Sequence, residues 1–332
     1  MIKAVPALVA VLLLLAVAWV APVIGATWLI AVAVPYAAFV LFVCGFVLKV
    51  VSWARAPVPF RITTTCGQQK SLDFLPHARL ENPFTGWQAA LRVLEEVVLF
   101  RSLFRNVRMR WTRRRDLVYE SSRWLWLAGL AFHASLLLII LRHLRFFLDP
   151  VPALVLWLGR LDGLFQLAVP TILVSDIVIV AALAFLLARR LVDARLRYLS
   201  LPADYFALFL LLGIVLSGVS MRHLTRVDLV AVKELAVGLA TLAPRVPDGI
   251  GTPFLLHVLL VSTLFAVLPL SKLMHIAGAV MSPTRNLANN TRARRHESPW
   301  NPEVEVHTYE QWEDEFRDKL VAAGLPVEGK QT

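Results

Sequence analysis

Six long apolar runs constrain this chain more than any other feature. They cover about Pro6–Val23, Thr27–Trp53, Arg123–Phe147, Gly163–Ala188, Asp204–His223 and Pro253–Met281. A helix needs roughly 20 apolar residues to cross the hydrocarbon core of a bilayer, and these runs do not alternate as membrane β-strands do. The sequence therefore predicts an all-α integral membrane protein, a six-helix transmembrane bundle. Composition points the same way: 58% of the 332 residues are apolar and 17% charged, where soluble domains hold about 45–50% and 25%. The first run, with Lys3 ahead of it and small residues after, has the look of a secretory signal. A retained helix is expected instead, because removing it leaves an odd number of spans.

The charges then orient the bundle. Lys and Arg number 34 and Asp and Glu 23, a surplus of eleven, and positive residues concentrate in cytoplasmic loops. Eleven of them, from Arg55 to Arg114, mark the segment between the second and third runs as cytoplasmic. Arg189, Arg190, Arg195 and Arg197 do the same for the next inner turn, and Arg285, Arg292, Arg294 and Arg295 for the tail. The intervening loops around 148–162 and 224–252 carry Asp149, Asp162, Asp228, Glu234 and Asp248 and are placed outside. Both termini are thus expected in the cytoplasm, in the cell's inner membrane. The surplus is a topology signal and calls for no nucleic-acid partner.

Four regions follow: two N-terminal helices over 1–53, a basic cytoplasmic loop over 54–122, a four-helix core over 123–281 and a cytoplasmic partner-docking tail over 282–332. Within the loop, apolar positions Val93, Val97, Phe100, Phe104 and Val107 recur at three and four through Trp87–Arg115, with arginines on the other face. That pattern predicts an amphipathic interfacial helix. In the tail, Thr308 with Gln311 predicts a capped helix ending at Gly324 and Pro326. Its stripe of Trp312, Phe316 and Leu320 is expected to rest on another protein.

Five of eight histidines lie in or at the ends of the apolar runs: His133, His143, His223, His257 and His275. Ionisable groups there are costly and point to function. His133 and His143 are ten positions apart, a helical rise of about 15 Å; His257 and His275 are eighteen apart, about 27 Å. Antiparallel spans set His133 opposite His275 on the inner side and His143 opposite His257 on the outer side. Facing imidazoles are axial ligands for haem iron in a bundle core. A lone membrane histidine is explained by an interhelical hydrogen bond, but two facing pairs favour a dihaem core and electron transfer. The unequal rises are the geometric difficulty, with Pro269 positioned to kink the sixth run. His223 stays open as a substitute for His143 or His257. Asp176 stays open as a proton site or as an orienting partner for a ligand imidazole.

The ten-then-eighteen spacing resembles that of the dihaem cytochrome b (gamma) subunits of respiratory nitrate reductases, over the third to sixth runs. The chain as a whole is more similar to the DsrM membrane subunits of the DsrMKJOP complexes of dissimilatory sulfur metabolism. That likeness rests on Ser52–Ile62, Thr64–Leu72, Leu99–Asn106, Leu141–Phe147, Ser282–Asn290 and His307–Glu310. The resemblance implies two haem b groups, with His133 and His275 on one iron and His143 and His257 on the other. It implies electron exchange with menaquinone and a cytoplasmic iron–sulfur partner of the DsrK type. A second membrane subunit and periplasmic redox subunits are implied beside them. It also implies a quinone site near the outer haem with a lysine close by, for which this chain offers Lys233. Arg142 and Arg145, flanking His143, are candidate partners for haem propionates.

Two cysteines, Cys44 and Cys66, exclude a disulfide scaffold, a cluster built on this chain's cysteines alone and CxxC chemistry. Cys66 lies where an iron–sulfur partner is expected to dock, and a structural role is the simpler reading. Two other classes compete with the dihaem subunit. One is a proton-coupled transporter or channel, which predicts internal repeats that the halves do not show. The other is a haem-less membrane anchor. No catalytic triad, P-loop or zinc motif is present, so substrate chemistry belongs to other chains.

Overall fold

The computed structural model describes residues 2–56, 63–105, 107–111, 116–163, 170–282, 284–295, 297 and 306–328. Arg61, Arg113 and Arg114 of the expected inner loop, the segment 164–169 of the expected fourth span, and Pro57–Ile62, Asn106 and Pro283 of the motifs lie outside them.

The chain is mostly helical. Helix α1 (Val5–Val20) carries proline in its first turn, where the missing N–H costs nothing. After a tight turn, a π-helical stretch Leu29–Ala33 runs into α2 (Val34–Ala54). The loop that follows holds α3 (Gly86–Leu99) and α4 (Arg101–Arg105), then an antiparallel hairpin of β1 (Val107–Trp111) and β2 (Leu117–Ser121). Helix α5 (Arg123–His143) leads through short α6 (Ala153–Asp162) to α7 (Val174–Val192), α8 (Ala194–Leu199) and α9 (Pro202–His223). Helices α10 (Leu229–Ala240) and α11 (Thr252–Val267) follow, then two 3₁₀ turns, α12 (His275–Met281) and the tail helix α13 (Tyr309–Ala322).

Four helical stretches among the described residues are long and apolar enough to cross a membrane: Leu29–Ala54, Arg123–Phe146, Pro202–His223 and Thr252–Leu270. The two other expected spans differ from expectation. Helix α1 has 16 residues, and α7 begins at Val174 rather than near Gly163 and carries Asp176, Arg189 and Arg190. Both nevertheless pack with the four, α1 against α9 and α11 and α7 between α5 and α9. Their contacts use small residues, with Ala7, Ala18, Ala31 and Ala182 all buried. This is how helices approach closely in lipid, where burying apolar surface gains little. The outward faces stay apolar, with Leu13 61% and Trp19 71% exposed. Water would not tolerate such a surface without association.

Two expectations about local structure are corrected. The amphipathic helix expected over Trp87–Arg115 stops at Leu99. It starts as a full capping box, Thr85 accepting from the Gln88 N–H while Gln88 closes back on the Thr85 N–H. It ends because Phe100 turns left-handed at φ 49°, and the chain then forms α4 and the hairpin. The sixth run is not one helix either. Pro269 and an extended Ser271 (φ −118°, ψ 174°) break it between Val267 and His275. Gly45 on α2 makes room for the break, since a Cβ there would stand 2.8 Å from the Pro269 Cβ. The tail helix forms as expected, capped by Thr308 and Gln311 and followed by Gly324 at φ 70°.

Candidate functional site: two facing histidine pairs

Helices α5 and α11 are not close-packed neighbours, unlike α5 with α7 or α11 with α9. What meets across the space between them is imidazole. The His133 and His275 ring centres are 5.8 Å apart with planes at 86°, and those of His143 and His257 are 6.4 Å apart with planes at 14°. The antiparallel pairing is therefore present, and the unequal rises are reconciled by the break at Pro269–Ser271. That break lies between His257 and His275, so the eighteen residues that separate them are not one continuous helical rise. His223, at the end of α9, stacks on neither pair among the described residues.

The hydrogen bonds of the four rings share one pattern. His133 Nδ1 lies 2.7 Å from the Gly129 carbonyl oxygen, His143 Nδ1 2.7 Å from that of Ile139, and His275 Nδ1 3.0 Å from that of Lys272. A carbonyl only accepts, so each Nδ1 carries the proton. His257 Nδ1 is 2.9 Å from Ser217 Oγ, and that hydroxyl is 2.8 Å from the Ile214 carbonyl oxygen. The hydroxyl has one proton; donating it to the carbonyl leaves Ser217 to accept from His257. All four rings are thereby set in one tautomer, with the Nε2 lone pair free. Among the described residues no Nε2 of the four makes a hydrogen bond.

These pairs fit a haem rather than a bare ion. No group of three or more metal-ligating side chains occurs among the described residues, whereas a protein-bound ion such as zinc takes three or four protein ligands. Two ligands suffice where a macrocycle supplies the others. Metal–imidazole bonds are about 2 Å, so two imidazoles on opposite sides of one iron set their ring centres about 6 Å apart.

The ends of the two pairs are built differently. Beside His143, Arg142 bonds the Asp162 carboxylate and lies 3.1 Å from Ser175 Oγ and 3.9 Å from Asp176. Asp162, expected in an exposed outer loop, is 4% exposed and also accepts from the Ser175 N–H at 2.8 Å and hydroxyl at 2.6 Å. Next to this cluster a cavity of about 280 Å³ is lined by Arg142, Arg145, Arg160 and Arg222 together with Leu156 and Leu173. Arg145 lies on the Phe146 ring, and Arg222 donates to the Thr171 carbonyl at 3.1 Å. Four guanidiniums thus face two nearby carboxylates, Asp162 and Asp176. Lys233 is half-buried on α10, 3.3 Å from Asp149 rather than paired with its neighbour Glu234.

Beside His133 and His275 the surroundings are aromatic and then a polar cap. Phe100 and Phe132 each meet the His133 ring edge-on at 4.9 Å, and the Trp126 indole donates to the Leu99 carbonyl at 2.7 Å. Over them, residues 64–72 and 284–290 come together although more than 200 positions apart. The Thr64 N–H donates to the Thr284 carbonyl at 3.1 Å, Asn289 donates to the Pro83 carbonyl at 2.6 Å, and the Asn289 amide donates to Asn82 at 2.8 Å. Glu81, Glu95 and Glu96 bind Arg101, Arg105 and Arg285 beneath. The hydrogen bond that Arg101 donates to Glu95 raises the guanidinium pKa above its ordinary value. Burial lowers that of Arg92, which donates to the Thr64 carbonyl. Cys66 is exposed with a free thiol, its N–H held by the Glu81 carbonyl at 3.2 Å.

Sequence reasoning missed Asp162, Ser175 and Ser217. Asp162 alone left a signal, being an acidic residue directly before the fourth apolar run.

The model of the nitrate reductase gamma subunit family matches residues 89–294, which include all four paired histidines. The chain is 46% identical over 278 residues to an Hdr-like menaquinol oxidoreductase cytochrome b-like subunit of Archaeoglobus fulgidus, covering 82% of this chain and 83% of the relative. It is 42% identical over 306 residues to the subunit of the same description from Archaeoglobus profundus, covering 90% and 89%.

Proposed function

The chain belongs to the nitrate reductase gamma subunit family, and from that premise we propose that it is the membrane cytochrome b-like subunit of an Hdr-like menaquinol oxidoreductase complex. In this reading the bundle has six spans, with α1 and α7 completing the four longer helices. It holds two b haems, one between His133 and His275 near the cytoplasm and one between His143 and His257 near the outer face. When bound, the haems supply one-electron transfer across the membrane.

The observation that carries the reading is the common state of the four rings: each Nδ1–H is engaged by the protein and each Nε2 lone pair is kept for a metal. The remaining residues divide the other tasks. Asp162, Ser175 and Asp176 already hold Arg142, so Arg145, Arg160 and Arg222 are the cavity's cations for carboxylates such as haem propionates. Lys233 is the candidate cation for a quinone carbonyl on the outer side. The polar cap is the platform for a cytoplasmic iron–sulfur partner, and the Trp312–Phe316 stripe of α13 is a second face for docking. Both termini lie in the cytoplasm. The likeness of Thr64–Leu72 and Ser282–Asn290 to the DsrM subunits extends the reading to dissimilatory sulfur metabolism, with a second membrane subunit and periplasmic redox subunits as further partners.

The test is an optical spectrum of the purified full chain. Two b haems per chain are expected. His133→Ala or His275→Ala should remove one, and His143→Ala or His257→Ala the other. A colourless chain ends the reading. Reoxidation of the reduced chain by a menaquinone analogue is expected as well; reoxidation by a cytochrome alone would remove quinone from it.

A further inference from the structure

Three of the four paired histidines donate to the carbonyl of a residue three or four positions earlier on their own stretch of chain. His257 alone donates to a side chain on a different helix. Its acceptor, Ser217 on α9, is 8% exposed and has its own proton directed at the Ile214 carbonyl. The ring also packs against α9 at the next residue, where a Cβ on Gly218 would stand 3.5 Å from His257 Cε1, in ordinary van der Waals contact. The ring plane of His257 is therefore set by α9, and it lies 14° from that of His143, whereas the His133 and His275 planes cross at 86°.

Resting on the dihaem reading, we infer that Ser217 is a positioning residue for the outer haem: it holds His257 near-parallel to His143 and strengthens that imidazole as a ligand. Ring planes are readable because each imidazole's π orbital raises the iron d orbital it overlaps. Parallel rings raise the same orbital, separating two otherwise similar levels, and the ferric low-spin signal is rhombic. Perpendicular rings raise both levels alike, and the signal moves to a large principal g value. The chain should show one of each. The Nδ1–H···O bond also places partial negative charge on the imidazole and favours the ferric state. The Ser217 oxygen is a better acceptor for donating its own proton onward.

The experiment is electron paramagnetic resonance with a redox titration on the purified full chain. Wild type should give one rhombic and one large-g signal. In Ser217→Ala the rhombic signal should shift or broaden and its midpoint potential rise, with the large-g signal and its potential unmoved. Ser217→Thr, which restores a hydroxyl, should return both. Should Ser217→Ala lose the outer haem, Ser217→Cys gives the graded measurement, since a thiol is a weaker acceptor; a shifted rhombic signal supports the inference. Two large-g signals in wild type overturn it, as does a rhombic signal that none of these variants moves. In both cases the chain still carries two haems, so the dihaem reading survives. A colourless wild-type chain removes both.

Discussion

The two histidine pairs use the same chemistry in opposite surroundings. The His143–His257 pair is held from outside itself: Ser217 fixes one ring, and a cluster of Arg142, Asp162 and Ser175 stands next to the other. The His133–His275 pair is held by local backbone and aromatic edges, with one member, His275, exposed on a short helix after a break. One end is rigid through buried polar groups and the other through the fit of a broken helix under a polar cap. The two ends should therefore fail to different insults.

Asp162 gives the largest contrast. Removing one partner of a buried ion pair costs about 3–5 kcal/mol, because the other charge is left uncompensated. Asp162→Ala leaves Arg142 with only Asp176 at 3.9 Å and Ser175. Thermal unfolding in detergent should show a loss of that order, and the outer haem should be released before the inner one. Simultaneous release of both would mean that the ends are coupled, and the contrast would be lost.

Gly45→Ala probes the other end. Its Cβ would stand 2.8 Å from the Pro269 Cβ, a ring on a backbone that cannot swing aside. Overpacking of this kind costs about 1–3 kcal/mol, and the strain falls on the break that delivers His275. The expected result is a weakened or altered inner haem signal with the outer signal intact. An effect confined to the outer signal would contradict the role given to the break.

This contrast also separates what the sequence shows from what it hides. The antiparallel direction of the third and sixth runs sets His133 opposite His275 and His143 opposite His257, although their rises differ and the sequence leaves His223 open as a substitute for His143 or His257. How eighteen residues match ten is only half visible. Pro269 announces a break, but the extended Ser271 and the space at Gly45 depend on α2 packing against α11. Asp162 reads as a loop residue because nothing local says that Arg142, twenty positions earlier, will meet it. Ser217 is invisible for the same reason, one hydroxyl among many on an apolar helix. The amphipathic pattern through Trp87–Arg115 is real up to Leu99. Periodicity carries no information on the left-handed turn at Phe100, since that residue type is rarely found there.

Phe100 supplies the smallest and most discriminating prediction. A non-glycine residue at φ 49° carries about 1 kcal/mol or more of backbone strain. It is retained where the ring meets His133 edge-on at 4.9 Å, a contact worth about 0.5–1.5 kcal/mol. Phe100→Gly removes the strain and the contact together, so the two terms nearly cancel and the melting temperature should move little. The spectrum should move more. With one of its two aromatic edges gone, the His133 ring is less confined, and the inner haem's large-g signal should broaden while the rhombic outer signal stays as it was. Phe100→Ala keeps the strain and loses the contact, so it should be less stable than Phe100→Gly although it is closer in size to phenylalanine. If the alanine variant proves the more stable, the left-handed turn is not what ends α3. Aromatic confinement would then no longer distinguish the inner pair from the outer.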